Sequence, residues 1–195
     1  MHFSLTASLT LALVALTVAT PLPAPKTSTK TKSAAASSAT KDAAADEAAG
    51  GASVLTAGQT YNDIQISSGT AGDAESLANA LFANIDQSNL AGVSAADLKI
   101  IKATHDVAED AEVDAFNKAL EGATGDEKVA IQNGKIKNKV LKLTAEVLAL
   151  QVENAQGNEK GDVAAEQKKL ANNIALDTKA KGGASTAVPF DGTIG

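Results

Sequence analysis

Along the second half of the chain apolar positions recur every three or four residues, the spacing that lines side chains up on one face of a helix. Four such stretches can be drawn. The first is expected over about Thr70 to Ile85, where Ala71, Ala74, Leu77, Ala78, Leu81 and Phe82 share a face and Asp73 and Glu75 suit the positive end of the dipole. The second opens at Ser94, whose hydroxyl can cap the backbone while Asp97, three residues on, returns the bond. Its stripe runs through Leu98, Ile101, Ala108, Ala111, Ala115, Ala119 and Leu120 and ends near Gly122. The third, about Asp126 to Gln156, carries two stripes: Ile136, Val140, Leu143, Val147 and Leu150, and on the adjoining flank Leu141, Ala145, Leu148 and Val152. Two stripes mean neighbours on two or more sides, so this is the expected central helix, with Gly157 as its stop. Gly134 inside it costs roughly 1 kcal/mol against Ala, which predicts a kink or frayed first turns there. The fourth stretch covers about Asp162 to Lys181, with Val163, Leu170, Ile174, Ala164, Ala171 and Ala175 facing inward and Gly182 and Gly183 closing it. Short connections between long helices favour antiparallel neighbours. The expected fold class is therefore all-α: an up-down bundle of about four helices around a long central one, over residues 61–183, with 184–195 a loose tail.

The first 60 residues follow other rules. Residues 1–19 consist of a short start, an apolar run from Leu9 to Val18, and the small-residue pattern Thr17, Val18, Ala19 that a signal peptidase accepts. That run is too short to cross roughly 30 Å of hydrocarbon, which takes about 20 residues, so a secretory signal peptide is expected rather than an anchor. Residues 20–60 are built almost entirely of Ala, Ser, Thr, Lys, Pro and Gly. Such a segment buries too little apolar surface to offset its ordering entropy, and a disordered leader is expected. Three uses stay open for it: a plain spacer, an O-glycosylated stalk, or a pro-segment removed on maturation. Ala34 to Ala49 could form a transient helix.

Composition then removes whole classes of chemistry. The 195 residues are 44% hydrophobic but only 3% aromatic, so the core must be made of small aliphatics. There is no cysteine, hence no disulfide framework, thiolate metal site or thiol nucleophile, and two histidines leave little for a metal cage. All 17 cationic side chains are lysine, so the bidentate fork that best grips phosphate is missing. With a net charge of −6 and no basic-aromatic runs, nucleic acid is not an expected partner. No nucleophile elbow, phosphate-binding loop or dinucleotide fingerprint occurs in the sequence, and no cofactor is implied.

Two charged constellations remain. His105, the single histidine beyond the signal peptide, has Glu109 four residues on, the one carboxylate placed by helical spacing to orient it. A catalytic role would also need a nucleophile in reach. Asp106, Glu109, Asp110, Glu112 and Asp114 crowd the second helix, without the turn glycine of a calcium-binding loop. Lys135, Lys137, Lys139 and Lys142 form a basic patch on the third. If the two faces adjoin, their charges select the antiparallel register.

The segments YNDIQISSGTAGDAE (61–75), SNLAGVSAADLKII (88–101), GKIKNKVLKLTAEVLALQVENAQG (134–157) and EQKKLANNIALD (166–177) resemble a family of cysteine-free small secreted proteins of filamentous ascomycete fungi. The resemblance covers Tyr61 to about Val188. It implies a fungal source, secretion and a compact helical domain, and it brings no catalytic, cofactor or metal residues, because the family has no established activity. A looser, architectural similarity links the chain to fungal hydrophobic-surface-binding proteins. The expectation is thus a non-enzymatic secreted protein, extracellular or in the cell wall, that acts by contact with a protein or wall partner, effector-like at a host interface. The alternative is a helical binder of lipid or hydrophobic surfaces.

Overall fold

The computed structural model describes residues 55–195. The signal peptide and all but the last six residues of the expected leader lie outside the described residues. Helix α1 is a single turn, Tyr61–Ile64, followed by a two-residue strand β1, Gly69–Thr70, and by α2, Ala74–Leu81. A 3-10 turn at Leu90–Gly92 leads into α3, Ala95–Ala111. The chain continues through a π turn, Glu112–Phe116, into α4, Asn117–Gly122. Helix α5, Gly125–Ala155, is 31 residues long, α6 spans Val163–Lys179, and β2 is Ala184–Ser185. The fold is all-α with α5 at its centre; α2, α3 and α6 all pack on it.

Local signals account for the helix ends. The Ser94 hydroxyl accepts from the Asp97 N–H at 3.0 Å, while the Asp97 carboxylate takes a bond from that same hydroxyl at 2.8 Å rather than from the backbone. At the far end of α5 the Gly157 N–H donates to Asn154 and the Asn158 N–H to Glu153, at 3.0 and 2.8 Å. This nested pair needs left-handed backbone at Gly157, where φ is 80°. Both α5 stripes are buried along their whole length. Phe82 and Phe116 supply the bulk that the aliphatics lack; burying each contributes about 2 kcal/mol.

Four expectations change. Leu55 is buried and Thr60 bridges Thr193, so residues 55–60 pack with the helical domain rather than belonging to a disordered leader. The tail expected to be loose is a strap. It pairs β2 with β1 in antiparallel register, Gly69 opposite Ser185 and Thr70 opposite Ala184. It then crosses α5, where the Thr186 N–H donates to Ala130 at 3.0 Å, and meets the segment before α1. There the Asn62 side-chain amide donates to the Phe190 carbonyl and accepts from the Phe190 N–H, at 3.1 and 3.2 Å. Gly58 and Gln59 exchange bonds with Ile194, whose side chain is 0% exposed. A strap of this kind carries no helical periodicity, and its partners on α1, β1 and the segment before them lie more than 100 residues away in sequence.

Third, α5 runs unbroken through Gly134. A Cβ there would stand 2.0 Å from the Thr186 carbonyl oxygen, so the glycine makes room for the strap rather than for a kink. Fourth, α6 faces inward differently: its fully buried residues are Asn173 and Asp177. Val163, Leu170 and Ile174 are half-buried, and Ala164, Ala171 and Ala175 are exposed.

Candidate functional site

The acidic and basic runs do meet. Helices α3 and α5 lie antiparallel, and their charges match in that register: Lys102 pairs with Glu153 at 2.5 Å near one end, and Glu109 with Lys142 further along. Glu112 is the hub, with Lys142 at 2.6 Å, Lys139 at 3.5 Å and Lys135 at 3.7 Å. The π turn starts at Glu112, whose N–H reaches the carbonyls of both Ala108 and Glu109. Such insertions shift the side chains that follow around the helix axis. Asp106, Asp110 and Asp114 point to solvent, as the pattern of five carboxylates would allow, and Asp114 pairs only with Lys118 in its own helix.

Burial pushes the Glu112 carboxyl up, but the Lys142 hydrogen bond and the fields of Lys142, Lys139 and Lys135 outweigh it and hold the group below its usual 4.5. For Lys142 burial pulls the ammonium down, and the bonds to Glu109 and Glu112 more than reverse this, leaving it above 10.5. A depressed carboxyl contributes stability that is present above its unfolded value and is lost as pH falls through the folded one. A raised lysine contributes stability present below 10.5 and lost as pH rises through its folded value. Thermal unfolding against pH is therefore expected to show a plateau that falls below about pH 4.5 and above about pH 10.5. In Glu112→Gln both limbs should flatten; limbs as steep as in the parent chain would refute this assignment.

Lys137 leaves the basic patch altogether. Two residues from Lys135 and from Lys139, it sits on the opposite side of α5 and is 0% exposed. Its ammonium donates to the carbonyls of Ser68 at 2.9 Å and Thr70 at 3.0 Å and pairs with Asp73 at 2.7 Å. Three donors thus meet three acceptors. Beside it the buried Asn138 accepts from the Tyr61 hydroxyl and donates to the Ala108 carbonyl, both at 2.8 Å. Burial raises the Tyr61 phenol well above its usual range.

The remaining charges line a groove of about 440 Å3 between α3, α5 and α6, formed by His105, Glu109, Lys139, Lys142, Leu143, Glu146, Glu166, Lys169, Asn172 and Asn173. Glu109 does not orient His105, because it is held by Lys142. The imidazole instead has Asp106 at 3.0 Å from Nδ1 and Glu146 of α5 at 3.7 Å from Nε2. Glu146 and the α6 residues escaped sequence reasoning: helical spacing finds neighbours on one helix, not those across an interface. Among the described residues no group of His, Asp and Glu is arranged to hold a metal ion, and no helix is long and apolar enough to cross a membrane.

A family model described as a domain of unknown function (DUF8454) matches residues 55–189. The match starts at Leu55, the first described residue, and spans every helix. No curated protein and no solved structure matches the chain.

Proposed function

The chain belongs to this DUF8454 family, and on that premise we propose that it is a non-enzymatic small secreted protein of fungal type, working by contact with a protein or cell-wall partner. The observation that carries the reading is the groove between α3, α5 and α6. Its charges are matched in place, Lys142 with Glu109, Lys139 with Glu112 and Lys169 with Glu166, and the His105 ring lies beside Glu146. What such a lining offers is an alternation of fixed donors and acceptors, with Asn172 and Asn173 at its α6 wall. That suits a polar surface docking along it better than proton transfer at one atom. The apolar run from Leu9 to Val18 with the small-residue pattern ending at Ala19 supports secretion, and the Lys-, Ser- and Thr-rich stretch after it supports a tether or stalk.

The test is retention. Full-length mature protein is passed over an isolated fungal wall fraction and over host extract, beside the variant Lys169→Glu, whose salt bridge lies within α6 on a largely exposed side chain. Specific retention that drops about tenfold in the variant is expected, since a like charge is then set against Glu166 and a donor of the groove is lost. A protein that stays free in both extracts, or a variant retained equally, would overturn it.

The alternative, a binder of lipid or hydrophobic surfaces, draws on a crevice of about 100 Å3 lined in part by Phe82, Val147, Leu148 and Leu170. It predicts that the protein is depleted from solution over hydrophobic beads and raises the fluorescence of a hydrophobic dye; neither effect occurring would end it.

A further inference from the structure

Of the long helices, α6 alone puts no apolar side chain fully into the core. It runs antiparallel over a ridge of α5 made by Leu143, Val147 and Leu150: Asn173 shares a groove with Leu143, Leu170 shares a crevice with Val147, and Gly161, just before the helix, lies on Leu150. Both flanks are open, to the polar groove against α3 and to the smaller crevice towards α2.

Along most of its length its polar bonds are its own. Asp162 caps the Ala165 N–H at 3.1 Å, Lys169 pairs with Glu166 at 2.7 Å, and Asn173 donates to the Lys169 carbonyl at 2.9 Å. Leu170 and Ile174 pack on the core as half-buried side chains, but polar attachment to the rest of the domain starts only at Asp177, which accepts from the Ala74 N–H at 2.9 Å and so caps α2 from outside. It continues through Gly182 and Gly183, which exchange bonds with Ala71 at 2.9 Å each. One end of the helix is thus bolted down and the other rests on half-buried Val163 and Leu170.

We propose that α6 is a hinged lid: its first half, residues 163–172, lifts from the Leu143–Val147–Leu150 ridge about a pivot at Asp177 while the rest of the domain stays folded. Opening joins the two flanking crevices into one trough with an apolar floor. The device does not depend on the partner proposed above and holds whether or not the groove is a docking surface. Segments with few buried apolar contacts open at lower free energy than the core, which is what this anchoring pattern predicts.

Because the chain has no cysteine, single thiols report opening without background. Val147→Cys lies beneath the lid and Val152→Cys, on the same helix, lies in the core; both exchanges nearly preserve volume. In native full-length protein the thiol at position 147 is expected to react with an aromatic disulfide reagent at least about tenfold faster than that at 152, at a rate insensitive to low denaturant. Hydrogen exchange on the unsubstituted chain makes the same test without a mutation. Because a helical segment this short is marginal in water once off its packing face and frays, amides of 166–172 should exchange by local opening, those of 140–150 by global unfolding. Equal thiol rates that both track global stability, or α6 amides exchanging in step with those of α5, would overturn the lid.

Discussion

Replacing Lys137 by Met is expected to destabilise the domain by about 3–5 kcal/mol, from two lost hydrogen bonds to a charged donor at about 1.5–3 kcal/mol each. The side chain is wholly buried, and its ammonium is what the Ser68 and Thr70 carbonyls face. Met fills the volume and offers no donor, so the Ser68 and Thr70 carbonyls lose that partner. Asp73, the third acceptor, is about half exposed and can turn to water. Asp73→Asn keeps an acceptor oxygen and both carbonyls on the ammonium, exchanging one charged hydrogen bond for a neutral one, and should accordingly cost only about 1 kcal/mol. Denaturant titration separates the two: the midpoint should shift several times further for Lys137→Met than for Asp73→Asn at unchanged slope. Equal shifts would mean that the ion pair, not the clamp on the two carbonyls, holds the β1 loop to α5.

Gly134→Ala is expected to carry the opposite sign from the one helix propensity gives it. In a bare helix the exchange would stabilise by roughly 1 kcal/mol. Here the new methyl would stand 2.0 Å from the Thr186 oxygen and 2.9 Å from its carbon, both backbone atoms, with the Phe116 ring at 3.3 Å. The strap must move, and with it the Thr186 bond to Ala130 and the Asn133 bond to the Ala184 carbonyl. A net loss of about 2 kcal/mol follows from overpacking of this kind. Thermal unfolding should show a lower midpoint, and limited proteolysis should cut the strap of the variant before any helix. A midpoint raised above that of the parent chain would show that the strap is not seated on α5 as described.

These two residues also mark where reading the sequence stopped. Lys137 stands in a run of four lysines and looks like part of a solvated face; only the helical angle between it and Lys139, taken with a pair of carbonyls arriving from some 70 residues upstream, shows that it is inside. Gly134 looks like a defect in a helix until the strap is laid across it. His105 was recognisable as the histidine to watch, yet its partner on α5, Glu146, lies across an interface, and the helical neighbour Glu109 turned out to serve Lys142. The groove as a whole was half legible. Its acidic and basic walls follow from the charge runs on α3 and α5, whereas its third wall depends on how α6 leans, and α6 does not bury the residues that its apolar spacing selects.

What the sequence by itself determined is the four main helical stretches, though not α1, the strand at Thr70 or the π turn, together with their order, the central place of α5 and the stop at Gly157, because these rest on periodicity and capping within a few residues. The tertiary structure alone decided which polar groups go inside, how the strap closes the domain and which charges face one another across the groove. Those outcomes depend on partners tens to more than a hundred residues apart, and a buried lysine, a bare glycine or an Asp177 capping another helix acquires its meaning only when that distant acceptor, carbonyl or N–H is brought to it.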